Sequence, residues 1–442
     1  MNLGEFFYCL SYKPQIYILI FSIIFSIYII LFHKKCYHLF DPLLYIFLGS
    51  AFATSTVIYL FYLKKYDAIY LQNYIITILV YYGIFFIYGK NIPAYNKLKK
   101  QTINKSPQET VQISGKFFLV FVFLALFNIF YHLFVYACFG IPLLMNSRLV
   151  VNMTGGIFNA LLSRFSILFS TISLYMCFYI LNYCHYKKRF FAKIYFILVI
   201  LFGVLSGSKG FLIIIFLNFS YFVYLNQKKL QKLVNFFCSK RMVPLIVLII
   251  ISGLFIIFIQ SHGNLIDVIV KLLQRFAANG DGYAYAYPND NIQKITKLSL
   301  FDFLFGDFFQ TFRLSSKERG IGFGFELMNI ANHVSNSVSG PNPRMNLVGY
   351  AYFGFLGSIL LAFVTGMIFT YFRNLLMTSV NFPIEKQIAV LYFYSVFASL
   401  ESDVSSVIKS CTTDMFLSAF LMFFLLLFII WIKPRKNSLI VK

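Results

Sequence analysis

Long apolar runs fill most of this 442-residue chain, and short polar or basic segments separate them. Many runs approach the roughly twenty residues that a helix needs to cross a hydrocarbon core. The polar positions do not alternate as in a membrane barrel, so helices are expected to satisfy the backbone in lipid. The pattern predicts about eleven spans, near residues 15–33, 42–63, 69–89, 117–139, 157–183, 191–206, 211–226, 243–260, 348–372, 386–401 and 411–432.

A long polar insert over residues 261–347 interrupts this series between the eighth and ninth spans. We therefore expect an all-helical, polytopic integral membrane protein in three parts. Residues 1–260 form a first transmembrane bundle, residues 261–347 an external loop domain, and residues 348–442 a second transmembrane bundle. Within the insert, residues 266–276 have apolar positions at helical spacing, which suits an interfacial helix or one packed on the bundle.

The composition agrees with a membrane protein. The chain is 60% hydrophobic and 12% charged, whereas soluble globular proteins carry about 25% charged residues. Its seven cysteines form no Cys-x-x-Cys pair and lie mostly in or near apolar runs, so we predict neither a disulfide framework nor a cysteine metal site. We expect no cofactor.

The net charge of +23 comes from basic clusters between the apolar runs. This distribution favours orientation by the positive-inside rule and contact with anionic headgroups over nucleic-acid binding. The clusters expected in the cytoplasm lie near residues 97–100, 187–189, 228–229, 240–241 and 433–436. The N-terminus is then outside and the C-terminus inside, although Lys64 and Lys65 fall outside against this bias.

Three cations on the predicted external side are informative: Arg148, Arg164 and Lys209. An arginine inside an apolar span usually faces a protein interior or a water-filled cavity, and for Arg164 snorkelling to the nearby headgroups is the alternative. Lys209 lies between Gly207 and Gly210 at the start of a span. That position suits either an anion site or a simple turn whose lysine reaches the headgroups.

Four stretches carry a family resemblance. They are GIPLL with a following arginine (residues 140–148), SGSKG (206–210), QRFAANGDGY (274–283) and GPNPRMNLVGYAYFGFLGS (340–358). In this order they resemble the Wzy-type O-antigen and capsular oligosaccharide repeat-unit polymerases, and the likeness covers most of the chain. The small turn in that family more often reads GSRG, so Lys209 replaces a fork-shaped guanidinium with a point charge.

The resemblance implies a membrane glycosyltransferase-type polymerase at the outer face of a bacterial inner membrane. A glycan on a polyprenyl pyrophosphate carrier is transferred to an incoming lipid-linked repeat unit, and polyprenyl pyrophosphate is released. The implied partners are the lipid-linked oligosaccharide, membrane lipids, a flippase and a chain-length regulator, without nucleic acid. Cations would stabilise the charge that develops on the leaving group. The candidate pyrophosphate-binding residues are Arg148, Arg164, Lys209, Arg275, Arg313 and Arg344.

The acceptor hydroxyl must lose a proton, which requires a base within hydrogen-bond reach. His333 is the first candidate because it lies in the insert close to the next span and because histidine is a common general base near neutral pH. Glu326 and Asp281 are the reserves. The first external loop has no Asp-rich motif of the kind expected for metal-dependent membrane glycosyltransferases, so we predict no metal.

Two other function classes stay open. A flippase or exporter of lipid-linked oligosaccharides would also be polytopic and lined with cations, but the chain shows no internal repeat of the kind that many transporters have. An O-antigen ligase-like glycan transferase uses the same donor chemistry and is hard to separate from a polymerase by sequence. A scaffold role is disfavoured, because a charged residue inside an apolar span is costly to keep without a function.

Overall fold

The computed structural model describes residues 13–38, 41–92, 115–145, 156–208, 211–227, 230, 243–260, 278–312, 314, 322–334, 340–417 and 419–420. These residues form helices, turns and loops, with no strand among them. The helices are α1 Pro14–Phe32, α2 Pro42–Tyr62, α3 Ala68–Tyr88, α4 Gly115–Phe139, α5 Gly156–Tyr183, α6 Tyr186–Leu205, α7 Phe211–Leu225, α8 Val243–Gln260, α9 Asp281–Ala286, α10 Leu300–Thr311, α11 Phe323–Asn332, α12 Met345–Thr378, α13 Ile384–Phe397 and α14 Val404–Lys409.

The expectation of an all-helical membrane protein is confirmed for the described residues. Six helical segments there are long and apolar enough to cross a membrane: Pro14–Lys35, Pro42–Tyr62, Ala68–Tyr88, Gly115–Leu144, Leu161–Tyr183 and Met345–Thr378. Helix α7 is apolar but shorter. The predicted count of eleven spans is therefore matched only in part.

Contacts between helices define two ends of the bundle. Helices α1 and α2 are antiparallel, because the ring of Tyr17 contacts Tyr59 while that of Phe32 contacts Phe47. The turn from α2 to α3 lies against the insert, since the ring centroids of Tyr66 and Tyr287 are 5.0 Å apart. We call this end the insert end and the opposite one the far end. The turn that contains Lys64 and Lys65 thus shares one end with the insert, as the predicted topology requires.

Helix α12 bends back on itself at Gly354, whose φ of 71° and ψ of −169° are open mainly to glycine. The Oγ1 atom of Thr365 donates to the sulfur of Met345 at 2.8 Å, whereas about 30 Å would separate these residues in a straight helix. A Cβ on Gly349 would lie 2.8 Å from Cα of Ser358. Residues 345–353 and 355–378 are therefore two antiparallel arms, and the predicted span over 348–372 crosses the bend between them.

Helix α3 runs along both arms. Its Asn73 donates to Ser358 Oγ of the second arm at 2.6 Å, and its Thr77 accepts from Asn346 Nδ2 of the first arm at 3.1 Å. The first arm begins level with the middle of α3 and runs towards the insert end. The segment that precedes this arm is thus inside the bundle.

Part of the insert, predicted as an external loop domain, packs against the helices of the bundle. Tyr283 and Tyr285 of α9 and Tyr287, the residue that follows this helix, are at most 3% exposed, and α9 packs against α2, α11 and α12. Helix α10 in contrast has no buried residue. The insert therefore combines an embedded segment with a surface helix.

A turn over residues 398–403 interrupts the helical path between α13 and α14. The backbone N–H of Met345 donates to the carbonyl of Glu401 at 3.2 Å, and that of Val404 donates to Pro343 at 3.2 Å. This turn thus contacts the start of α12. The predicted span over 386–401 ends early, at Phe397, and most of the predicted span over 411–432 lies outside the described residues.

Candidate functional site

A buried ion pair lies where α12 begins. Arg344 Nη1 donates to Glu401 Oε1 at 2.5 Å, and the two side chains are 3% and 2% exposed. Ser50 of α2 donates to the other oxygen of Glu401 at 2.6 Å, while Arg344 Nε donates to the carbonyl of Asn279 at 2.7 Å. A buried pair is stable only when further hydrogen bonds satisfy both partners. This pair meets that condition and ties four distant segments together.

Local sequence explains how Arg344 reaches this position. Pro341 and Pro343 cannot continue a helix, and Arg344 is extended, with φ of −63° and ψ of 145°. Close approach of two backbones fixes the segment, because a Cβ on Gly324 would lie 2.2 Å from the carbonyl oxygen of Pro341 and one on Gly340 2.3 Å from Gly324. The GPNPR motif therefore carries its arginine into the bundle.

Polar side chains extend from this pair through the bundle interior. Tyr283 donates to Asn346 Oδ1 at 2.6 Å, and Thr54 shares a hydrogen bond of 2.7 Å with the hydroxyl of Tyr74. The rings of Tyr74 and Tyr283 meet edge to face at 5.1 Å. These polar groups have protein partners, so they fit a positioning role better than direct contact with a substrate.

A second, more accessible charged cluster lies at the insert end. Arg164 Nη1 is 3.4 Å from Asp307 Oδ2 and 3.3 Å from Asp414 Oδ1, so one nitrogen lies between two carboxylates. The three side chains are 11%, 29% and 17% exposed, respectively. Thr413 donates to Asp307 at 2.7 Å, and Lys409 is close enough to attract Asp414 electrostatically. We call Arg164, Asp307, Asp414 and Lys409 the insert-end cluster; its formal charges balance.

Two local features place the carboxylates. Ser299 caps helix α10 by accepting from the N–H of Asp302 at 3.0 Å, and Phe308 of the same helix packs on Phe416 at 5.3 Å. Asp307, which precedes Phe308, contacts Arg164. Residues 410–414 form a π-helical turn directly after α14, a form that is frequent at functional sites.

The geometry leaves binding capacity in the insert-end cluster. Among the described residues, Nη1 of Arg164 has carboxylate partners, whereas Nε and Nη2 make no hydrogen bond. Asp307 Oδ1 likewise accepts no hydrogen bond from the described residues. The cluster can therefore donate two N–H groups to an anion and offer a carboxylate oxygen to a proton.

The other predicted site residues with described positions lie elsewhere in the insert. Glu326 accepts from the N–H and the hydroxyl of Thr296 at 2.9 and 2.7 Å. His333 is exposed at the end of α11, in the left-handed conformation with φ of 54°. Asp281 is the first residue of α9, which packs against α11. Their catalytic roles stay predictions.

Of the predicted cations, Arg164 and Arg344 are described, and the structure puts them in different sets of contacts. The role of Arg344 in binding pyrophosphate stays a prediction. The polar groups that contact its side chain in the structure belong to the protein. The other four predicted cations lie outside the described residues: Arg148, Lys209, Arg275 and Arg313.

Sequence reasoning missed the acidic partners. Asp414 lies near the start of the predicted span over 411–432, where a charge is the same kind of signal that singled out Arg164, and Glu401 lies at the edge of a predicted span. At the far end, Arg373 donates to Asp41, and both are buried. The sequence alone does not reveal such pairs, because the partners are far apart along the chain; Arg373 and Asp41 are separated by 332 residues.

The described residues contain no group of three or more His, Cys, Asp or Glu side chains arranged to hold a metal ion. Comparison with known proteins returned no relative: no family model, curated protein or solved structure matches the chain. The insert-end cluster and the sequence resemblance are therefore the features that bear on function.

Proposed function

We propose that this protein polymerises polyprenyl-pyrophosphate-linked oligosaccharide repeat units at the outer face of a bacterial inner membrane, for O-antigen or capsular polysaccharide. The observation that carries the proposal is Arg164, a partly exposed arginine at one end of a bundle of apolar helices, with two nitrogens that make no hydrogen bond to the described residues. A lipid-linked pyrophosphate is an anion that arrives at such a position. The sequence resemblance supports the same reaction.

In the proposed reaction, the hydroxyl oxygen of the acceptor sugar attacks the anomeric carbon of the donor glycan. The bond between that carbon and the pyrophosphate oxygen breaks, and polyprenyl pyrophosphate leaves with the bonding electrons. Arg164 Nε and Nη2 donate to the pyrophosphate and stabilise its growing charge. Asp307 Oδ1 accepts the proton of the acceptor hydroxyl as a general base.

The remaining members of the cluster hold these two groups in place. Asp414 and Asp307 share Nη1 of Arg164, which fixes the direction of the guanidinium. Thr413 donates to Asp307 Oδ2 and leaves Oδ1 for the substrate. His333 is the alternative base from sequence; it is exposed on the same insert, in a separate set of contacts.

Transport of lipid-linked oligosaccharide is the second candidate function. The bend at Gly354 and the turn over residues 398–403 are discontinuities in apolar helices, and the buried Arg344–Glu401 pair joins that turn to the start of α12. Discontinuous helices around a central site are typical of secondary transporters. The insert-end cluster is placed less well for this function, because it lies near one end of the bundle.

Deletion of the gene separates these functions. For a polymerase, a gel of lipid-linked sugars from the deletion cells shows single repeat units on the outer side of the membrane. Full-length polymer left on its polyprenyl carrier would instead identify a ligase. Units trapped on the cytoplasmic side would identify a flippase, and either of these results would contradict the proposal.

A further inference from the structure

Four tyrosines meet where α3 touches the insert. The ring centroid of Tyr287 is 5.0 Å from those of Tyr66 and Tyr70, and that of Tyr70 is 5.3 Å from Tyr350. Tyr70 and Tyr287 are buried, whereas Tyr66 and Tyr350 are partly exposed. We call these four residues the tyrosine platform. It presents two aromatic rings at the surface over a packed aromatic base.

A strained turn borders the tyrosine platform. Asn289 and Asp290 are consecutive and both adopt the left-handed conformation, with φ of 57° and 53°. This region is disfavoured for side-chain-bearing residues, although Asn and Asp tolerate it best. Such strain persists only where the surroundings hold it, and it is frequent at ligand sites.

Hydrogen bonds fasten the turn to the platform. The hydroxyl of Tyr70 donates to Asp290 Oδ1 at 2.6 Å and accepts from Gln293 Nε2 at 2.8 Å. Asn291 beneath the turn donates to the carbonyl of Tyr285 at 3.0 Å. The turn is therefore held in one position relative to the exposed rings.

Hydrogen-bonding groups remain open around these rings. Asp290 Oδ2, the Asn289 amide and the Tyr350 hydroxyl make no hydrogen bond with the described residues. Asn289 and Asp290 are exposed, and Tyr350 is close enough to Asp290 to feel its charge. A donor, acceptors and aromatic faces thus share one small surface.

We propose that the tyrosine platform binds a sugar ring of the oligosaccharide substrate. A pyranose presents an apolar C–H face, which stacks on an aromatic ring, and hydroxyls at its edge, which need both donors and acceptors. The open groups of Asn289, Asp290 and Tyr350 supply these at the edge of the rings. The choice of sugar rests on the proposed function, whereas binding at the platform is a separate property from transfer at the insert-end cluster.

The test is a binding titration by calorimetry on the full-length protein in lipid nanodiscs. The probe is a mixture of oligosaccharides from partial acid hydrolysis of the surface polysaccharide of the source cells. Tyr350→Ala removes one exposed ring and is expected to weaken binding about tenfold. Asp290→Asn keeps the left-handed turn and an acceptor for Tyr70, and it should weaken binding severalfold through loss of the charged acceptor.

Tyr371→Ala is the matched control, because Tyr371 is a 62% exposed tyrosine on the same helix away from the platform. It should bind as the wild type does, and Tyr350→Phe should fall between the wild type and Tyr350→Ala. Equal affinity in Tyr350→Ala, Asp290→Asn and the wild type would overturn the proposal. So would a wild type that binds no oligosaccharide, which would make the platform part of an aromatic belt in contact with lipid.

The experiments distinguish a failure of the proposed polymerase function from a failure of the tyrosine platform. If the wild type binds the oligosaccharides and Tyr350→Ala does not, but no lipid-linked unit is ever polymerised, the platform stands and the proposed function fails. If polymer forms while Tyr350→Ala binds sugar normally, the platform is wrong and the function stands.

Discussion

The arginine–carboxylate pairs in the described part of the chain differ in how far water reaches them. Arg373 with Asp41 and Arg344 with Glu401 are at most 3% exposed, whereas Arg164 and its two aspartates are 11–29% exposed. A buried pair stays fixed, because separating it leaves an uncompensated charge in a low dielectric. Of these contacts, those of Arg164 are therefore the most accessible to water and to a dissolved anion.

Replacement of Arg164 should stop polymerisation without removing the protein from the membrane. Arg164→Gln loses the charge, and Arg164→Lys keeps it but loses the second donor nitrogen. We expect a decrease in turnover of about 10²–10³ for Arg164→Gln and a smaller one for Arg164→Lys. The measurement is polymer yield per membrane-inserted protein in deletion cells that carry each variant.

Lys193→Gln is the control for Arg164→Gln. It removes an exposed positive charge from the first half of α6, away from the insert-end cluster. It should leave the yield unchanged. Wild-type yield from Arg164→Gln would remove Arg164 from the site.

The Arg344–Glu401 pair should contribute to stability. Arg344→Gln or Glu401→Gln leaves one buried charge without its partner, which lowers the free energy of unfolding by about 3–5 kcal/mol. The double variant should lose less than the sum of the two single losses, since it leaves neither charge behind. A thiol-reactive dye reports unfolding in detergent, because Cys177 and Cys184 are buried. Single variants that melt like the wild type would show that the pair is not a stabilising contact.

Sequence analysis could identify Arg164 but not its partners. A guanidinium within an apolar run stands out by composition alone, whereas Asp307 lies 143 residues away. The approach of α10 to α5 depends on packing such as that of Phe308 on Phe416, which has no local signal. His333 is a candidate base by residue type, and residue type does not show whether a side chain lies near a substrate.

At the scale of elements, the first three predicted spans agree closely with α1, α2 and α3. Their apolar runs are bounded by strong signals, such as Asp41, which accepts from the N–H of Leu43 at 2.9 Å just before α2. The hairpin of α12 was not predicted, because its sequence is apolar on both sides of Gly354. Apolar composition predicts that a helix is in the membrane and does not reveal where it turns back.

The bend in α12 should depend on glycine at position 354. Gly354→Ala meets no atom within 4 Å, so its effect comes from the positive φ alone, and we expect a loss of about 1–3 kcal/mol in the free energy of unfolding. Gly83→Ala is the matched control: it also meets no atom within 4 Å, but it lies in the regular helix α3. It should be neutral or stabilising. The same dye assay measures both variants, and equal melting temperatures would contradict the strain at Gly354.

At the scale of the whole molecule, the arginine–carboxylate contacts at the two ends of the bundle differ in their exposure. At the far end, the pair of Arg373 and Asp41 is buried, as is Lys35. The insert end carries the partly exposed insert-end cluster and the tyrosine platform, both of which involve the insert. This asymmetry suits a reaction in which a lipid-linked substrate meets the protein at one face of the membrane.

The most direct measurement is the length distribution of glycan made by the purified protein in lipid vesicles supplied with a polyprenyl-pyrophosphate-linked repeat unit. The wild type should produce a ladder of lengths and release polyprenyl pyrophosphate. Asp307→Asn should produce almost none, because its amide cannot take the acceptor proton. Asp302→Asn, the same change on the same helix, should behave as the wild type does. A full ladder from Asp307→Asn, or a wild type that moves the lipid-linked unit across the bilayer without joining units, would contradict the assignment of the insert-end cluster as the polymerising site.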